Sequence, residues 1–222
     1  MKATLQLLAA LVVLPVVSRD VAAQWNVAQF GTDRNQVYST FGIDPAVIAS
    51  VGYGRIVPML GRQWQLGIEG GVVAPDYDTR DFRARAQVRT SIARWRSLHL
   101  VGSMAFITRG TENSIYRAVN FGADFTGALG VYRPRWFFAG EFGFDKAVIT
   151  HITHSDWYRT HFYAEAKDGW YLNAGGTFHY GAATGLSLGR MELAVRAGRL
   201  QPEDFNEIGA GGYASAGIGF KF

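Results

Sequence analysis

The stretch Ala118 to Tyr132, "AVNFGADFTGALGVY", decides how the rest of the chain is read. Val119, Phe121, Ala123, Phe125, Leu129 and Val131 fall on one side of an extended chain. Asn120, Gly122, Asp124, Thr126 and Gly130 fall on the other. Side chains of a strand alternate between two faces, so the period of two predicts a strand with one apolar and one polar face. The next segment repeats the design: Trp136, Phe138, Phe142, Phe144 and Val148 stand against Ala139, Glu141, Gly143 and Asp145. The "RPR" of Arg133 to Arg135 forms the tight turn between them.

The same alternation runs outward in both directions. Trp64, Leu66, Ile68 and Val72 oppose Gln65 and Glu69; Phe82, Ala84, Ala86, Val88 and Ile92 oppose Arg83, Arg85, Gln87 and Arg89. Leu98, Leu100, Met104 and Phe106 oppose His99 and Ser103. Trp170, Leu172, Phe178 and Tyr180 oppose Tyr171, Thr177 and His179, while Met191, Leu193, Val195 and Ala197 oppose Arg190, Glu192 and Arg196. Val47 to Tyr53 makes a less polar strand. Short connections near residues 59–62, 94–97, 133–135 and 185–189 alternate with longer ones near 75–81, 108–116, 150–168 and 200–208. Short turns on one rim and long loops on the other are the rhythm of a transmembrane β-barrel, and the strands reach the roughly 9–11 residues a tilted membrane strand needs.

Composition bounds the alternatives. The 222 residues are 48% hydrophobic and only 18% charged, with 27 glycines, 6 prolines and no cysteine. One domain or one barrel suits that length. The missing cysteines exclude a disulfide framework and thiolate chemistry. A formal charge of +4 without a Lys/Arg run argues against a nucleic-acid partner. The N-terminal "MKATLQLLAALVVLPVVSRDVAAQ" places Lys2 before an apolar run too short to span a bilayer, then small residues at Val21 and Ala23. It reads as a secretory signal peptide over residues 1–23, leaving a barrel over 24–222.

The C-terminus carries a resemblance. "YASAGIGFKF" ends in Phe222, with Phe220 and Ile218 at alternate preceding positions. This pattern resembles the assembly signal of Gram-negative outer-membrane β-barrel proteins, whose last strand engages the insertion machinery. The resemblance implies an all-β, closed antiparallel barrel in the cell outer membrane, with lipid and the assembly machinery as partners and an unspecified extracellular partner. It also implies both chain ends on the periplasmic side, hence an even number of strands. Nine strands are clear. The tenth falls to "QWNVAQFG" (24–31), together with "VYSTFGI" (37–43), for a total of about ten; eight is the alternative. The His-Ser-Asn-Ala motif of lipid A deacylases is not found, nor a clear match to the omptin proteases.

Two groups of residues invite a functional reading. The first is the expected lumen network: Glu69, Arg83, Arg85, Arg89, Asp124, Glu141, Asp145, His179, Glu192 and Arg196. Folding the hairpin about "RPR" brings Asp124 level with Glu141 or Gly143, and two carboxylates so close repel unless a cation intervenes. A salt-bridged filling and a narrow channel with charged walls both follow from such a set. His179 beside Glu141 would make an acid–base pair, but no positioned nucleophile accompanies it.

The second group is the long loop "VITHITHSDWYRTHFYAEAKDGWY" (148–171), with three of the five histidines. A helical loop would bring His151, His154, His161 and Glu165 within an arc of roughly 80° and suit a divalent metal. If Thr150, Ile152 and Thr153 extend a strand, His151 and His154 diverge, and an aromatic cap of Trp157, Tyr158, Phe162 and Tyr163 remains. The "HSD" of His154 to Asp156 is a poor triad, because neighbours on an extended chain face opposite ways. The sequence therefore favours a non-enzymatic outer-membrane barrel without a cofactor, serving a structural or surface-interaction role or acting as a very narrow channel. The alternative is an enzyme or metal-binding protein using the loop over 150–168.

Overall fold

The computed structural model describes residues 26–30, 34–44, 46–74, 80–172, 175–204 and 211–222. The expected signal peptide lies outside them. Eleven strands follow one another: β1 (Asn35–Asp44), β2 (Ala46–Met59), β3 (Arg62–Ala74), β4 (Phe82–Trp95), β5 (Leu98–Glu112), β6 (Tyr116–Arg133), β7 (Trp136–His154), β8 (Gly169–Leu172), β9 (Gly176–Leu188), β10 (Met191–Pro202) and β11 (Gly212–Lys221). Each pairs antiparallel with its sequence neighbour through β7. The short β8 pairs with the upper end of β7, and β9 with its lower part. β1 pairs with β11 from Gln36↔Lys221 to Ile43↔Ala214 and closes the ring. The result is a closed ten-stranded antiparallel barrel with β8 as an extra piece of strand. Closure leaves none of the ten barrel strands with an open edge across the membrane, as lipid requires.

Two-residue turns join the strands on one rim. Leu60 and Gly61 both adopt positive φ (52° and 69°), the conformation that lets a hairpin turn follow the twist of its strands. The chain ends meet at the same rim, where Asn35 and Phe222 exchange backbone hydrogen bonds of 3.1 and 2.9 Å.

The two faces sort as the alternation predicts. Phe125, Phe138 and Phe142 are each more than half exposed on the outside (54%, 58% and 57%), whereas Arg85, Asp124 and Glu141 are buried inside. An apolar exterior around a charged interior inverts a water-soluble barrel and is what a lipid surround demands. Near the short-turn rim the interior holds an apolar cluster. There Val101, Ala128, Tyr132, Phe137, Ala139, Ala183 and Ala194 cluster around Val27, and the Tyr132 and Phe137 rings stack 5.3 Å apart. Gly185 makes this possible: a Cβ there would lie 2.3 Å from the Phe137 ring.

Three expectations are corrected. The tenth strand is Asn35–Asp44, containing "VYSTFGI"; the described part of "QWNVAQFG" instead forms a 3-10 turn, Val27–Gln29, packed inside the barrel. Asn26 is fully buried there, and one turn in the lumen satisfies its polar groups better than a strand ending in lipid. The expected loop at 108–116 shrinks to residues 113–115, because β5 runs on to Glu112. The β7 strand continues through His154, and with 18 and 19 residues β6 and β7 outgrow a membrane and stand beyond the opposite rim.

Candidate functional site

The polar interior is a chain of ion pairs built across the strands. Arg85 on β4 reaches Asp124 on β6 at 3.2 Å, and Thr126 donates to the same carboxylate at 2.9 Å. His179 on β9 completes this group, its Nε2 lying 3.2 Å from Thr126 Oγ1 and 3.5 Å from Asp124. It crosses the whole of β7 to do so. The path runs over Gly143, where a Cβ would lie 1.8 Å from His179 Nε2.

Further pairs lie above and below. Arg109 on β5 grips both oxygens of Asp145 on β7. Arg196 Nε on β10 bonds Glu141 at 2.8 Å, and its guanidinium sits 5.9 Å from the Tyr213 ring. The Tyr38 hydroxyl donates to the Glu69 carboxylate. Arg83 and Arg89 are buried on the same wall as Arg85. Near the short-turn rim, Lys221 pairs with Glu192 at 2.8 Å and also donates to Gln29. Glu192 in turn accepts the backbone N–H of Asn26 at 2.5 Å, while the Asn26 amide donates to the Arg133 carbonyl at 2.7 Å.

All ten expected lumen residues therefore face inward. Their partners differ from expectation. The turn after Arg133 has two residues, so Arg133 pairs with Trp136 and Asp124 comes level with Asp145 rather than with Glu141 or Gly143; Glu141 faces Ala128. His179 meets Asp124, not Glu141, because it stands opposite Gly143. Arg190 lies exposed in a turn rather than in the lumen. Arg109, Lys221 and Asn26 were missed, and Thr126 was placed on the polar face without a role. The first two were open to the period-two argument, since Arg109 shares parity with His99 on β5 and Lys221 alternates with Phe220 and Phe222. Asn26 gave no such signal.

The charges of this interior nearly balance. Among the described residues, Arg83, Arg85, Arg89, Arg109, Arg196 and Lys221 face Glu69, Asp124, Glu141, Asp145 and Glu192. The void bordered by Val27, Arg89, Tyr132 and Glu141 measures about 10 Å³, at or below what one water needs.

The histidine loop is built otherwise than a metal centre needs. His151 remains on β7 and meets the edge of Trp170 at 4.8 Å. His154 bonds Asp168 through Nδ1 at 3.1 Å, and His161 turns to the Trp157 carbonyl at 2.9 Å. His151, His154, His161 and Glu165 are thus not brought together, and no group of three metal-ligating side chains forms among the described residues. The β-branched run through Thr153 keeps the strand going past both of the first two histidines. Only then does helix α1 (Asp156–His161) begin, capped by Ser155, whose Oγ accepts from the Tyr158 N–H at 3.1 Å and donates to the Ser114 carbonyl at 2.6 Å. That double use removes Ser155 from the "HSD" reading. Asp168 is drawn down to a pKa of about 2, first by the His154 backbone N–H and then by Arg159 at 2.5 Å. The aromatic cap exists as a cluster, Trp157 against Phe162 at 5.2 Å and Tyr158 against Phe162 at 6.0 Å, but Trp157 (49%), Phe162 (68%) and Tyr163 (55%) are open to the outside.

No family model matches the chain, and no curated protein matches it. Among solved structures, LpxR from Salmonella typhimurium aligns over 91% of this chain and 79% of its own, at 11% identity and a TM-score of 0.36. So loose an overlap carries no argument about activity.

Proposed function

We propose that this chain is a non-conducting, non-enzymatic outer-membrane barrel: a rigid support, filled by salt bridges, that holds the aromatic loop around α1 outside the cell. The short-turn rim faces the periplasm. The single observation that carries the reading is the pairing of charges across the lumen, with Arg85–Asp124, Arg109–Asp145 and Arg196–Glu141 joining walls on different strands. Paired charges of near-zero sum give an ion neither space nor a net field to follow. A second closure at the periplasmic end, Asn26–Phe30 against Glu192 and Lys221, supports the same reading.

The outward role falls to the loop. Trp and Tyr supply large contact area at small entropic cost, and the Trp157, Phe162 and Tyr163 side chains stand free for a partner. Catalysis and a bound metal form no part of this proposal. Planar-bilayer recording of the folded protein tests it: the expected result is no unitary current in molar salt. Regular conductance steps would overturn the closed-lumen reading in favour of a channel.

A further inference from the structure

Arginine is distributed unevenly along the barrel axis. At and just above the short-turn rim stand Arg34, Arg55, Arg62, Arg94, Arg96, Arg133, Arg135 and Arg190, all exposed. Among the described residues, none of these eight makes an ion pair, and the rim exposes no Asp or Glu; Glu192 there is buried against Lys221. The opposite rim differs. Several of its cations meet carboxylates, Arg80 with Glu112 at 3.2 Å, Lys146 with Glu203 at 2.6 Å and Arg159 with Asp168 at 2.5 Å, although Arg199 and Lys167 there make no ion pair among the described residues.

The unpaired arginines are interleaved with tryptophan. The Arg96 guanidinium lies 5.5 Å from the Trp95 ring and that of Arg133 lies 5.7 Å from Trp136, while Trp64 is tied to its turn through the Met59 carbonyl at 2.9 Å. Indole rings settle at the depth of lipid headgroups. They therefore hold the neighbouring guanidinium groups at phosphate level, where the planar fork can bind two oxygens at once. Arg55 sits higher than the turns and opens into a lipid-facing groove of about 510 Å³ walled by Leu66, Ile68, Met104 and Phe106. A cation on an apolar outer wall is costly unless an anion joins it. A phosphate above an acyl chain lying in that groove meets both requirements.

We infer that the short-turn rim is a binding collar for the phosphate groups of anionic phospholipids in the adjoining leaflet, with Arg55 and its groove as the most specific seat. This rests on the barrel spanning a membrane but not on its lumen being closed. The collar selects anionic over zwitterionic lipid, and each arginine contributes about fivefold to retention.

Native mass spectrometry of the folded full chain, titrated with phosphatidylglycerol or phosphatidylcholine, tests this. The wild type is expected to retain phosphatidylglycerol preferentially. The set Arg94→Gln, Arg96→Asn, Arg135→Gln, Arg190→Gln lowers that preference severalfold and leaves the lipid at Arg55, while lysine at the same four positions keeps most of the lost part. Arg55→Gln alone removes the tightest lipid. Arg117→Gln with Arg199→Gln, at the other rim, changes nothing. Equal retention of both lipids by the wild type overturns the inference, as does a preference undiminished by the fourfold change or lowered equally in the opposite-rim control. Heat-modifiable migration reports barrel folding separately for every variant. If the fourfold set does not fold, the 94/96 and 135/190 pairs are read instead by the same criteria.

Discussion

Glu141 and Arg196 meet 2.8 Å apart with both side chains almost fully enclosed, so neither has water to turn to if the other is lost. Glu141→Ala is therefore expected to destabilise the barrel by about 3–5 kcal/mol, read from urea unfolding in lipid vesicles. Glu141→Leu with Arg196→Met is expected to recover most of that loss, because the cost is that of a stranded charge. Asp168 makes a prediction of another kind. Its carboxylate has a pKa of about 2 in the folded loop against an ordinary 3.8, so its contribution is fully present above the ordinary value and disappears as pH falls through about 2. Fluorescence of a variant retaining only Trp157 should hold steady down to about pH 4 and change below it; in Asp168→Asn that transition should be absent. At this scale the sequence showed which side chains point inward, since parity alone sets that. It did not show their partners. Placing Asp124 beside Asp145 needs a turn of two residues rather than three, and sending His179 to Asp124 needs the missing side chain at Gly143, a contact between residues far apart in sequence.

The β11 strand carries its outward apolar row, Ile218, Phe220 and Phe222, to the end of the chain, each about half exposed. The strand must pair with β1 to close the ring, and the last residue takes part through its own N–H and carbonyl. Removing Phe222 is expected to leave less heat-modifiable protein in the outer membrane, while Phe222→Tyr retains it; equal amounts from the truncated chain would count against an assembly role. The strands from β2 to β11 were legible from alternation, with β8 and β9 read as one, whereas their ends were not. β5, β6 and β7 run further than expected because a strand pair can continue beyond lipid wherever its partner does, and the pattern of exposure then no longer alternates strictly. Asn26–Phe30 was mistaken for part of a strand because five residues of mixed polarity carry no period, and their burial follows from a cavity that only the finished barrel creates.

At the scale of the whole molecule, the account rests on the direction of the two faces. The exterior band of Phe, Leu, Ile and Val surrounds a charged lumen; among the described residues the arginines of one rim make no ion pair, while the other rim carries Arg80–Glu112, Lys146–Glu203 and Arg159–Asp168. The chain contains no cysteine, so any introduced cysteine supplies a single thiol for labelling. Nitroxide labels placed one at a time at Phe125, Phe138, Phe142, Ala105 and Ala183 of the protein in lipid bilayers measure the central claim most directly. The first three should collide strongly with oxygen dissolved in the lipid and weakly with an aqueous nickel chelate, while the two inward positions are shielded from both. Labels at Phe125 and Phe142 that collide instead with the aqueous reagent, or that are shielded from both agents, would show those rings turned away from lipid and contradict the account.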